Sequence, residues 1–160
     1  MIDQKTLVTQ WLNGLSVLHR GHFTAAKACE QKNIYLGIPV IVLSTIVGSA
    51  VFASIQTDSA TNTKIMVGAL SIMAAIFSGL QTFLKFSERA ERHKITATKY
   101  GILRRELEQS IVLTSDGIPE KAFLDSLRTR WDSLDEESPT LPARIWTSKM
   151  AEISKPKVTS

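Results

Sequence analysis

The chain has a single cysteine, Cys29, so no internal disulfide can form. That fits a reducing compartment. It has no GxxxxGK[ST] loop, no GxGxxG turn and no paired-cysteine metal motif. Phosphate-cradling loops and zinc ribbons therefore have no local signature here. The first twenty residues lack a basic stretch followed by a short apolar run and a small-residue cleavage site, so no secretory signal is expected. Ile2 stands where myristoylation requires glycine, and there is no CaaX box.

The lack that matters most is local. The 160 residues contain 19 Lys and Arg and 15 Asp and Glu, yet none of these falls in residues 33–57 or 65–84. Each block reaches the roughly 20 apolar residues that cross a hydrocarbon core of about 30 Å. A buried hairpin in a soluble protein would need wrapping on all sides, and the rest of the chain is short and highly charged. Two transmembrane helices are expected, over 36–56 and 65–84. Pro39 falls in the opening turn of the first, where a missing N–H costs little. Residues 33–39 then read as a joint between a cytosolic helix and the span, with Tyr35 at the membrane interface. The second helix is expected to continue past Lys85, because no Gly or Pro intervenes before Gly101.

The connection from Thr57 to Lys64 is short and polar, which puts both termini on one side. Lys27 and Lys32 flank the first span, and Lys85, Arg89 and Arg92 flank the second. That bias places both termini in the cytoplasm. The spans contain no Asp, Glu, Lys, Arg or His, which argues against a pump, an ion-coupled transporter or a voltage sensor. They do contain small residues at helical spacing: Ser71, Ala75 and Gly79, with Gly68 on a neighbouring line, then Ser44 and Gly48, and Ser49 and Ala53. Such stripes let helix backbones approach closely in lipid, either within the hairpin or between copies. Ser44, Thr45, Ser49, Ser71, Ser78 and Gln81 suit a weakly polar lumen, although hydroxyls also bond to their own backbone carbonyls.

Outside the spans, residues 4–32 read as an amphipathic helix. Asp3 is its N-cap, and Leu7, Trp11, Leu15, Leu18, His22 and Ala26 lie on one face. Gly14 and Gly21 weaken that reading. Residues 85–153 read as further cytosolic helices. Phe86, Ala90, His93, Ala97, Tyr100, Leu103, Leu107 and Ile111 share a face of the first. After the turn at residues 114–118, Pro119 at N1 opens a second helix to Glu136 with Phe123, Leu127, Trp131 and Leu134 inward. A third, over 143–153, follows the break at residues 138–142, and 154–160 form a frayed tail.

Residues 85–105 carry a net +5, whereas 106–160 carry a net −3. Positive charge beside the membrane suits anionic lipid. Alternatively, Arg89, Arg92, Lys99, Arg104 and Arg105 form an anion or nucleotide site. His19, His22 and His93 suit either a metal site or simple packing. The carboxylates Asp135, Glu136 and Glu137 read as a solvated helix end. No nucleophile with a placed base is visible, so no enzyme, catalytic residue, metal or cofactor is expected.

The helix leaving the second span contains Ala90-Glu91-x-His93, then Ala97, Tyr100, Leu103 and Arg105-Glu106-Leu107. This resembles the SLATT family, the SMODS and SLOG-associating two-transmembrane effector domain, whose members read A-E-x-H-x-x-A-A-x-x-Y-x-x-L-x-R-E-[IL] after the second span. Thr96 replaces the first alanine of the pair, and Gly101 is less helix-favouring than the pattern. The resemblance covers about Leu7 to Ala151, making residues 1–160 a single SLATT-like domain. The implied fold is an all-α membrane protein, with a two-helix transmembrane hairpin, an N-terminal amphipathic helix and a C-terminal cytosolic helical bundle. The implied role is a bacterial inner-membrane effector of an antiviral defence system. It oligomerises and forms a pore or disrupts the membrane, causing abortive infection. Its implied partners are membrane lipid, further copies of itself, and a nucleotidyltransferase or its cyclic-nucleotide product, with no direct nucleic acid. The motif residues would then set helix packing rather than catalyse. A holin-like lysis protein and a non-pore membrane adaptor are the competing readings.

Overall fold

The computed structural model of the chain describes residues 3–56 and 61–154. Residues 57–60 of the connection and the residues after Ser154, with the tail read from the sequence, lie outside the described residues, and the rest of the connection, Thr61 to Lys64, belongs to a helix and not to the loop read from the sequence. Every regular element among the described residues is a helix: α1 (Gln4–Gln56), α2 (Thr61–Leu84), α3 (Phe86–Leu113), α4 (Lys121–Glu137) and α5 (Ala143–Ser154). Contacts divide them into two units. One comprises the chain up to Lys27 together with everything from Ala90 onward; the other runs from Ala28 to Arg89.

The first unit is a helical bundle around the N-terminal part of α1. Val8, Leu15, Tyr100, Leu103, Leu107, Leu127 and Leu134 form its buried core. Each large aliphatic side chain there contributes about 1.5–3 kcal/mol through burial. Val17, Ala25 and Ala26 are buried as well, so α1 hides more than one stripe. The contacts explain why. The Trp131 ring of α4 meets Trp11 edge-on at 6.1 Å between centroids. Leu141 and Ile145 pack on Gly21, and His19 and His22 face α3. The glycines that weaken the helix by propensity are where neighbours come closest. A side chain on Gly14 would start 3.0 Å from Trp131, and one on Gly21 would start 3.1 Å from Leu141.

The second unit is a pair of apolar helical segments. Lys32 lies over the Phe86 ring at 5.5 Å, and Gln81 packs on Gly37. One partner advances while the other retreats, so the segments run antiparallel. Half-buried residues trace the seam, among them Leu36, Val40, Leu43 and Val47 on α1, and Val67, Leu70, Ser71, Ala74, Phe77 and Gln81 on α2. Both helices are long and apolar enough to cross a membrane, and none of the apolar stretch of either is buried within the chain. An apolar surface of that length covered only along one seam fits lipid and not a water-soluble core.

Three sequence expectations need correction. No joint separates the N-terminal helix from the first span: α1 runs through residues 33–39 with Pro39 inside it. Proline removes one ladder bond, and a long apolar helix with a packed neighbour tolerates that loss. Conversely, α2 and α3 are not continuous. Lys85 between them has φ +46°, the one non-glycine residue described with a positive φ. A left-handed non-glycine residue costs about 1–2 kcal/mol. Lys85 N–H still donates to the Gln81 carbonyl at 3.3 Å, and Arg89 N–H to the Lys85 carbonyl at 3.0 Å. Contacts of Phe86 with Lys32 and of Lys85 with Glu88 (3.6 Å) accompany the turn, which no breaker residue marks. Finally, Pro119 does not occupy N1. It is buried just ahead of α4, whose N-cap is Glu120. The preceding turn uses Gly117 at φ +71° and the Asp116 carboxylate, which accepts from Ile118 N–H at 3.0 Å.

Candidate functional site

The family-motif face of α3 lies in the bundle. Ala90, His93, Ala97, Tyr100, Leu103 and Leu107 are all buried. Thr96 and Gly101, the two departures from the motif, are buried too. Gly101 has a local reason: a Cβ there would start 2.7 Å from His19 Nδ1 and Cε1. The other motif residues point outward. Glu91 and Arg105 are exposed, and Glu106 takes a bidentate pairing from Arg130 of α4 at 2.6 and 3.0 Å.

His22 and His93 meet at the α1–α3 seam. Their Nδ1 atoms are 3.0 Å apart, and the residues are only 1% and 8% exposed. One Nδ1 must donate and the other accept. Burial, and then the nearby His93, push the His22 imidazole down to about 4 from its usual 6.5. Burial lowers His93 as well. The Tyr100 ring stacks on His22 at 5.4 Å. Its phenol donates to Asp135 Oδ1 at 2.5 Å, and Ser138 Oγ lies 3.0 Å away. Burial and the Asp135 carboxylate both push the phenol upward, so it stays protonated and remains a donor. Asp135 also accepts from Trp131 Nε1 at 3.2 Å. Two polar contacts, linked by the stacking of Tyr100 on His22, thus tie α1 to α3 within the bundle and α3 to the exposed Asp135 of α4.

Asp135 is the residue that sequence reading missed. All three of Asp135 to Glu137 are exposed at the helix end, as the sequence reading has them, but Asp135 also accepts from the tyrosine and Glu137 pairs with Lys99 at 3.1 Å. A buried tyrosine on the motif face needs an acceptor, which was the available signal. His19 does not join the other two histidines. Its Nδ1 bonds to the Ala97 carbonyl at 2.8 Å. Among the described residues no group of three or more His, Cys, Asp or Glu is placed to hold a metal ion.

The five basic residues proposed for an anion are not gathered at one point. Arg92 and Lys99 line the groove between α3 and α4, which also includes Ile95, Leu134 and Pro139. Arg104 pairs with Glu108 at 3.4 Å, and Lys99 already holds Glu137. Arg105 is exposed on α3, and Arg89 lies in the other unit.

In the apolar pair, Ser44, Gly48, Ala75 and Gly79 are exposed, and Ser71 is half-buried. Beyond its own helix, nothing described comes within 4 Å of where a side chain on Gly48, Gly68 or Gly79 would begin. The seam of the hairpin runs mainly along larger residues, with Ala74 and the stripe residue Ser71 half-buried among them. Thr45, Ser49 and Ser71 donate their hydroxyl protons to the carbonyls of Ile41, Thr45 and Val67, each one turn earlier. Gln81 is half-buried against Gly37.

No curated protein and no solved structure matches the chain. The family described as SMODS and SLOG-associating 2TM effector domain family 4 matches residues 9–142, from the bundle part of α1 to the residues after α4. With two helices fit to cross a membrane and the motif face packed as described, the chain belongs to this family of two-transmembrane effector domains associated with conflict and defence systems.

Proposed function

We propose that the protein is a pore-forming effector of a bacterial antiviral system, seated in the inner membrane with both termini in the cytoplasm. Copies assemble through the exposed small-residue stripe and perforate the membrane when a partner or nucleotide signal reaches the cytosolic helices. The outcome is abortive infection. The observation that carries this reading is the stripe itself. Ser44, Gly48, Ala75 and Gly79 are left exposed by their own hairpin, and nothing described lies within 4 Å of where a side chain on Gly48 or Gly79 would begin beyond its own helix. In lipid, close backbone approach at small residues drives helix association. Two helices cannot enclose a lumen, so a pore needs several copies.

The motif helix supplies packing and not catalysis in this reading. Arg92 and Lys99, beside one groove, are the basic residues best placed to meet an anionic signal, and lipid headgroups remain partners for the exposed basic residues near the spans. The test uses the purified full chain in phosphatidylethanolamine–phosphatidylglycerol vesicles holding a trapped dye. Release is expected, and Gly79→Leu with Ala75→Leu should suppress it without reducing insertion. Wild-type release by that variant would sink the assembly, and sealed vesicles under every nucleotide or partner tried would sink the pore.

A further inference from the structure

The His22–His93 contact is more than packing. Two buried imidazoles face each other through the same type of nitrogen at 3.0 Å, on two different helices. We infer that this pair is a proton-binding site whose full protonation opens the α1–α3 seam. The chemistry follows from the geometry. With both rings neutral, one Nδ1–H donates to the bare Nδ1 of the other. A first proton settles on the far nitrogen of the donor ring and leaves the bridge intact. A second must take the accepting Nδ1, which sets two N–H groups head to head with two positive charges between them.

Among the described residues, no ion pair or hydrogen bond of a carboxylate to either ring compensates those charges. On α1, His19 lies one turn earlier with its Nδ1 committed to the Ala97 carbonyl. On α3, the cationic Arg92 and Lys94 flank His93, and the nearest carboxylate in sequence, Glu91, is exposed. Tyr100 stacks on His22 but directs its phenol away to Asp135 of α4, so that carboxylate reaches the imidazole only through the aromatic ring. From the α5 side, Leu141 and Ile145 pack uncharged on Gly21, and the Arg20–Glu152 pair lies out in solvent. Among the described residues, no carboxylate bonds to either imidazole. Burial already disfavours the charged form of both rings.

The sensor deepens the pore reading and rests on it for its consequence. α1 leads from His22 into one apolar stretch, and α3 follows the other. Perforation of an energised membrane admits protons to the side where the bundle is assigned. Each opening would therefore favour the next by protonating the pair, a positive feedback built from two side chains.

The experiment takes the full chain in vesicles. It follows amide hydrogen exchange over residues 15–26 and 90–101, corrected for the intrinsic pH dependence of exchange, alongside dye release. Between about pH 7.5 and about pH 5.5 the open seam should become about tenfold more populated through His22 alone. The His22→Gln/His93→Gln variant keeps a donor facing an acceptor but cannot titrate, and should lose the response. His19→Gln should retain it. Equal exchange at both pH values in the native chain, or an equal rise in the Gln variant, would overturn the site. If the Gln variant does not fold, ring-nitrogen NMR of the native chain decides: both rings titrating near the ordinary histidine value with the seam unchanged would likewise overturn it. A seam that loosens in acid while vesicles stay sealed keeps the proton site and removes the pore. Leakage that ignores pH while the seam stays shut keeps the pore and removes the proton site.

Discussion

The imidazole of His19 rests on Gly101, so close that a Cβ at position 101 would start 2.7 Å from His19 Nδ1. That ring is also pinned by its bond to the Ala97 carbonyl at 2.8 Å and meets Phe23 edge-on. Gly101→Ala should therefore destabilise the bundle. The helix gains up to about 1 kcal/mol in propensity, but overpacking costs about 1–3 kcal/mol and displaces a bonded ring. Urea titration followed by tryptophan fluorescence would show a lower midpoint. A raised midpoint would mean that the ring swings aside freely.

Tyr100→Phe removes the donor that the buried tyrosine offers to Asp135 at the bundle edge. The carboxylate keeps Trp131 but loses its shorter bond. A loss of about 1–3 kcal/mol is expected. Asp135→Asn keeps an acceptor oxygen and should cost less. The two substitutions together should cost less than the sum of each alone, since both remove one interaction. Strict additivity in that cycle would show that the contact is not a working hydrogen bond.

The pH dependence has a definite sign. His22 is lowered in the folded chain to about 4 from 6.5, by burial first and then by His93. Its contribution to stability is present in full above the unfolded value and is lost as pH falls through that window. The loss by the acid end is on the order of 3 kcal/mol. Unfolding midpoints should fall between pH 6.5 and 4 in the native chain and fall less in His22→Gln. Parallel curves for the two proteins would contradict the assignment.

Lys85→Gly should stabilise the turn between α2 and α3, because glycine adopts φ +46° without the side-chain penalty. A gain of up to about 1 kcal/mol is expected, and Lys85→Val should reverse it. Thermal unfolding in detergent micelles would rank the three proteins Gly, Lys, Val. Any other order would place the backbone at Lys85 outside the left-handed region.

The apolar stretches and the motif helix could be read from residue order because charge is absent from residues 33–57 and 65–84 and hydrophobic spacing is regular along α3. The break at Lys85 could not be read that way. Local propensity favours a continuous helix there, and long-range contacts override it. Pro39 misled in the opposite sense, suggesting a joint where the helix persists. Asp135 was hidden among three consecutive carboxylates, and only the fold distinguishes the one beneath a tyrosine from the two beside it. Gly101 looked like a departure from a pattern until its neighbour on another helix was in place.

The hydroxyl groups on the apolar helices carry a further consequence. Thr45, Ser49, Ser71 and Thr82 each give their proton to a carbonyl of their own helix. What they present outward is oxygen lone pairs and no hydrogen. Where a water-filled path ran beside these four groups it would meet acceptors, which suit cations better than chloride.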